Sequence, residues 1–139
     1  MPLFPRALGF GPFRTVSRGA VLDRLTPHEK AAVLLHELGH LYHRHPGRRL
    51  LRLLDPRKWG RLSALARQDE FEADEFAASF GFGKALSLFL QRFPDPHTPG
   101  PFHPAPIERI ARLNQLSRLP GVTGFTDLPP NRAKEKRRA

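Results

Sequence analysis

The chain has 139 residues, 40% of them hydrophobic, which suits one domain with a real core and leaves no room for a second. It has no cysteine, so disulfides and thiolate ligands are excluded and any metal must be held by His, Asp or Glu. A formal charge of +10 points to an acidic partner, nucleic acid or an anionic membrane surface, or else serves solubility alone.

Residues 1–12 are rich in proline and glycine and read as a flexible N-terminal arm. Phe13 to Ser17 alternates apolar and polar residues, as a short exposed strand does. Thr26-Pro27-His28-Glu29 is a helix start: Thr26 can cap, Pro27 fits the first helical position and Glu29 completes a capping box. That helix is expected to run through Ala31, Val33, Leu34 and Leu38 to about His45, with Pro46-Gly47 ending it. Further helices are expected over about Asp69 to Phe80, Gly83 to Phe93 and Pro104 to Ser117, with a proline-dense loop from Pro94 to Pro101. From Asp127 the chain is polar, basic and broken by proline, the composition of a disordered tail. No apolar run approaches the roughly 20 residues that span a bilayer. Pro2, Pro5 and Gly9 interrupt the stretch where a signal peptide would need to be apolar, so a cytoplasmic protein is expected.

The chemistry concentrates in His36-Glu37-Leu38-Gly39-His40. Histidines at i and i+4 share a helix face one turn apart, the spacing at which two imidazoles bind one ion. Glu37, beside them, can reach a metal-bound water and act as general base. A catalytic zinc takes a third protein ligand and keeps one position open. The candidates are His43, His45, Glu70, Glu72, Asp74, Glu75 and His103. His43 and His45 follow too closely on one helix to complete a tetrahedron easily. The acidic helix around Asp69 to Glu75 is the natural donor; Glu70 and Asp74 share a face there, while Glu72 points elsewhere. One such face can supply both a ligand and a carboxylate that orients a ligating histidine. Asp69 and Glu75 fit a solvated helix start.

Leu25 to Glu29, the HEXXH segment, Glu70-Phe71-Glu72-Ala73-Asp74-Glu75-Phe76-Ala77 and His103-Pro104-Ala105-Pro106-Ile107-Glu108-Arg109 occur in this order. Together with Ser17 to Leu22 they resemble the HtpX and CAAX-prenyl-protease family of gluzincin metallopeptidases over about residues 13 to 117. The resemblance implies one zinc ion held by His36, His40 and Glu70, with Glu72 in reserve. It implies Asp74 behind the ligands, His103 near the substrate carbonyl as a catalytic residue, and Arg109 anchoring its helix. The implied domain covers 13–126, followed by a basic tail over 127–139. The transmembrane helices of the membrane relatives are missing, so the chain resembles the soluble minigluzincins, and prenyl-protein substrates do not carry over. The implied fold is α+β, predominantly helical, a zincin-like core with a small sheet packed against the HEXXH helix. The implied activity is zinc-dependent endopeptidase action on peptides or proteins, with an extended substrate added along Phe13 to Ser17. The rival readings are a zinc-stabilised binding protein without catalysis and a basic protein associated with nucleic acid.

Residues 48–67 combine Arg48, Arg49, Arg52, Arg57, Lys58, Arg61 and Arg67 with Leu50, Leu51, Leu53, Leu54, Trp59, Leu62 and Leu65. Such a stretch either lies on an anionic membrane surface or forms a helix pair with its leucines on the core. The tail from Asn131 adds charge that could touch nucleic acid without sequence preference, or fold over the cleft.

Overall fold

The computed structural model describes residues 6–10, 13–17, 20–93 and 104–118. After a single 3-10 turn over Ala20–Arg24 come α1 (Pro27–Tyr42), α2 (His45–Leu53), a second 3-10 segment (Pro56–Arg61), α3 (Leu62–Ser79), α4 (Gly83–Arg92) and α5 (Pro106–Leu116).

Helix α1 begins as its sequence dictates. The Thr26 hydroxyl accepts from the Glu29 backbone N–H at 3.2 Å, and the Glu29 carboxylate accepts from the Thr26 backbone N–H at 2.9 Å. Arg92, from the end of α4, also donates to Glu29 at 2.6 Å, so the cap ties two helices together. Burial pushes the Glu29 carboxyl up, but the Thr26 and Arg92 hydrogen bonds outweigh it and hold the group below its ordinary range.

The C-terminus of α1 departs from expectation. The helix stops at Tyr42, because Arg44 takes the left-handed conformation (φ 58°). Pro46 then lies in the first turn of α2, where a missing N–H costs nothing. Proline therefore starts a helix here, and His45 leads the second helix instead of trailing the first.

Helix α3 starts at Leu62, about two turns earlier than expected. Asp69 consequently lies well inside it and fully buried, not at a solvated start. Gly81 (φ 84°) ends α3: its N–H donates to the Ala78 carbonyl and the Phe82 N–H to the Ala77 carbonyl, a Schellman closure.

The described core is helical. Val21 and Leu22 from the first 3-10 turn, Ala32 and Val33 of α1, Ala77 and Ala78 of α3, Leu86, Phe89 and Leu90 of α4 and Leu113 of α5 form one cluster. Helix α1 packs on α3 and α4, and α5 closes against α3 and α4. The expected α+β class is thereby corrected. From residue 20 onward every regular element among the described residues is helical. The strands that are described, β1 (Arg6–Phe10) and β2 (Phe13–Ser17), make only a two-stranded antiparallel ribbon pairing Arg6 with Ser17 through Phe10 with Phe13. A two-stranded ribbon cannot bury a face as a sheet layer does, and the helices bury their apolar stripes on one another. One edge of β2, the strand expected to receive substrate, is already taken by β1, which lies in the stretch expected to be a loose arm.

No described helix is long and apolar enough to cross a membrane. The expected roles of His103 and of the basic tail fall outside the described residues, as does the loop from Pro94 to Pro101.

Candidate metal centre

Gly39 sets the distance between the two helices that carry the site. A Cβ at this position would stand 3.0 Å from the Ala73 Cα and 3.0 Å from the Phe76 Cβ of α3. Only a residue without a side chain lets α1 and α3 touch backbone to backbone. Residues 36 and 40 on one helix and 70 and 74 on the other are thereby brought face to face.

His36, His40 and Glu70 are all buried and converge on one point. The two Nε2 atoms lie 3.2 Å apart, and each is 3.5 Å from a Glu70 carboxylate oxygen. A tetrahedral zinc with bonds near 2.0–2.1 Å places its ligand atoms about 3.3 Å apart along each edge. The three donors therefore already span one face of such a tetrahedron. A borderline-soft cation, two imidazoles and one carboxylate are chemically matched, and a fourth position is left for water or substrate.

The ligands are held from behind. Asp74 lies 2.9 Å from Nδ1 of His36 and is itself gripped by Arg109 through two hydrogen bonds of 2.8 and 2.6 Å. Arg109 comes from α5, so that helix reaches Asp74 and, through it, the His36 ring. Glu37 acts electrostatically on the same Arg109, which puts its charge near the centre. Burial lowers the basicity of His36, but the hydrogen bonds its ring donates to the Asp74 and Glu70 carboxylates overcome it and raise the group to about 9. A pocket that stabilises positive charge on this ring stabilises a metal cation beside it.

Acidic α3 is neutralised from the basic stretch. Arg52 forms a fork on buried Asp69 at 2.7 and 3.0 Å. Arg49 bridges Asp69 and Glu70 at 3.3 and 3.1 Å, and Arg48 reaches Glu72 at 3.2 Å. Arg52 is buried, whereas Arg48 and Arg49 reach the carboxylates from the surface. Leu50, Leu51, Leu53, Leu54 and Trp59 face out, each 49% to 72% exposed. The alternative in which the leucines pack on the core thus fails for α2, where the carboxylates of α3 claim the arginine side, while Leu62 and Leu65 of α3 are partly buried.

Glu72, the reserve ligand, is turned away from the centre. Burial raises it, but His45, Gln68 and Arg48 outweigh that and hold it at about 2. His45 was set aside in the sequence reading, yet it is fully buried and touches both Glu72 (2.9 Å) and His40 (Nδ1 to Nδ1, 2.7 Å). Burial pushes His45 down to about 4, so it is neutral at pH 7. The signal that could have found it is Pro46, read as a helix start and not a stop. His43, His45 and Glu72 form a looser second group of potential donors.

A helix carrying HEXXH, crossed by a helix that supplies a glutamate ligand and an aspartate behind it, defines a zinc metallopeptidase centre of the gluzincin type. The family model for Peptidase family M48 matches residues 7–59, which include α1 and α2. With its buried His36, His40 and Glu70 triad, the chain is similar to that family over this segment and carries the donor set of a zinc metallopeptidase. No curated protein and no solved structure matches the chain.

Proposed function

We propose that the chain is an endopeptidase in which Glu37 is the general base. The observation that carries this reading is the three-donor face of the site, completed by an intact glutamate next to the first ligand. A purely structural metal site has no use for Glu37. When bound, zinc supplies Lewis acidity that polarises a peptide carbonyl and acidifies water. Glu37 takes the proton from the attacking water and passes it to the leaving amine nitrogen. Asp74 and Arg109 hold the His36 ring so that its Nε2 stays aimed at the centre. His103 would stand at the developing oxyanion.

The zinc-loaded chain is expected to cut unfolded casein, to stop on chelation and to resume on return of zinc. Intact casein after prolonged incubation of the fully loaded chain would favour a zinc-stabilised binding protein instead.

The exposed leucines support a location. Leu50, Leu51, Leu53, Leu54 and Trp59 form an apolar face beside exposed Arg57, Lys58 and Arg61. An apolar face with a basic rim and a tryptophan fits an anionic lipid surface. The chain is expected to co-sediment with vesicles containing phosphatidylglycerol at low salt and not with neutral vesicles. Leu54→Glu should release it. Equal binding to both vesicle types, or a dimer in lipid-free solution that Leu54→Glu dissociates, would overturn this location.

A further inference from the structure

The two zinc-binding histidines are held differently. Nδ1 of His36 faces the Asp74 carboxylate at 2.9 Å, whereas Nδ1 of His40 faces another imidazole, Nδ1 of His45, at 2.7 Å. We propose that His45, backed by Glu72, is a positioning residue that fixes the tautomer and orientation of His40 for metal binding. The inference rests on the metal-site reading above.

The proton positions follow from the contacts. If the His40 Nε2 offers its lone pair to the metal, the ring proton sits on Nδ1 and is donated to His45. His45 then accepts at Nδ1, which places its own proton on Nε2. That proton meets the Glu72 carboxylate at 2.9 Å, with Asp69 3.6 Å away. Glu72 in turn accepts from Arg48 at 3.2 Å and from Gln68 at 2.8 Å. Each link thus leaves one assignment for the next, from a fixed carboxylate to the free lone pair of His40.

Burial makes the chain rigid. His45 has no exposed surface and stacks on His43, with ring centroids 5.4 Å apart and planes 13° from parallel. The left-handed turn at Arg44 is what turns His45 back toward His40. A ring in this position can rotate only by giving up a buried hydrogen bond.

The test compares His45→Leu, His45→Gln and Glu72→Leu with the wild-type chain. Zinc affinity would be measured by competition with a chromophoric chelator, zinc stoichiometry by elemental analysis, and geometry from the visible spectrum of the cobalt-loaded protein. His45→Leu is expected to bind zinc about 10- to 100-fold more weakly and to shift the cobalt bands. His45→Gln, whose amide can accept from His40 and donate to Glu72, should recover much of the affinity. Glu72→Leu, at a half-exposed position that tolerates substitution, should shift both readouts in the same direction by less. Unchanged affinity and cobalt spectrum in folded His45→Leu or Glu72→Leu, with only melting temperature altered, would overturn the proposal. Two zinc ions per wild-type chain, falling to one in His45→Leu, would overturn it too, by making His43, His45 and Glu72 a second metal site. A wild-type chain that takes up no zinc would remove the metal-site reading itself and this inference with it.

Discussion

Glu37→Gln is expected to reduce peptide hydrolysis by roughly 10²- to 10⁴-fold, the range of a lost general base, while zinc stays bound. The substitution is nearly isosteric and removes the carboxylate's capacity to take a proton. Glu37 is half-buried on α1, one position after His36, and its side chain is not among the three converging donors. Stoichiometric zinc in the variant, beside lost hydrolysis of casein, is the result that separates catalysis from metal-dependent stability. A variant that lost zinc and activity together would make Glu37 a structural member of the site. A variant as active as wild type would remove it from the mechanism.

Arg109→Leu is expected to have the largest effect on stability, because it leaves Asp74 buried without its fork. Asp74 is 1% exposed, and its carboxylate is kept ionised against burial by Arg109 and His36. Removing one partner of such a buried pair costs about 3–5 kcal/mol. Denaturant titration of wild type and variant without added metal checks this figure. Asp74 would also lose the partner that directs it at His36, so zinc affinity should fall in the folded variant. A loss under about 1 kcal/mol, as for a surface ion pair, would mean that solvent reaches Asp74 and that α5 does not anchor the site.

The parts of the site that were legible are those governed by local geometry. Histidines at i and i+4 must share a helix face, and so must Glu70 and Asp74, wherever the helices go. The capping box at Thr26 and Glu29 was legible for the same reason. What the sequence hid depends on contacts between elements. His45 was dismissed because one unbroken helix was assumed across Arg44, and a single left-handed residue invalidates that. The stretch over residues 48–67 displayed two faces, but its composition alone could not say which one turns inward. That choice was made by buried Asp69 and Glu70 and partly exposed Glu72 on another helix, whose charge outweighed the usual inward preference of leucine. The small sheet was inferred from resemblance, and no pattern of alternating strands beyond Phe13 to Ser17 stood behind it.

The Gly39–Ala73 contact has a mechanical meaning. Two helices packed along their length are locked most tightly where their backbones come closest, and any relative displacement grows with distance from that place. His36 and His40 lie within one turn of that place on α1, and Glu70 within one turn of it on α3. Rocking of α1 against α3 therefore sweeps the helix ends through the largest arcs and leaves the three donors nearly still.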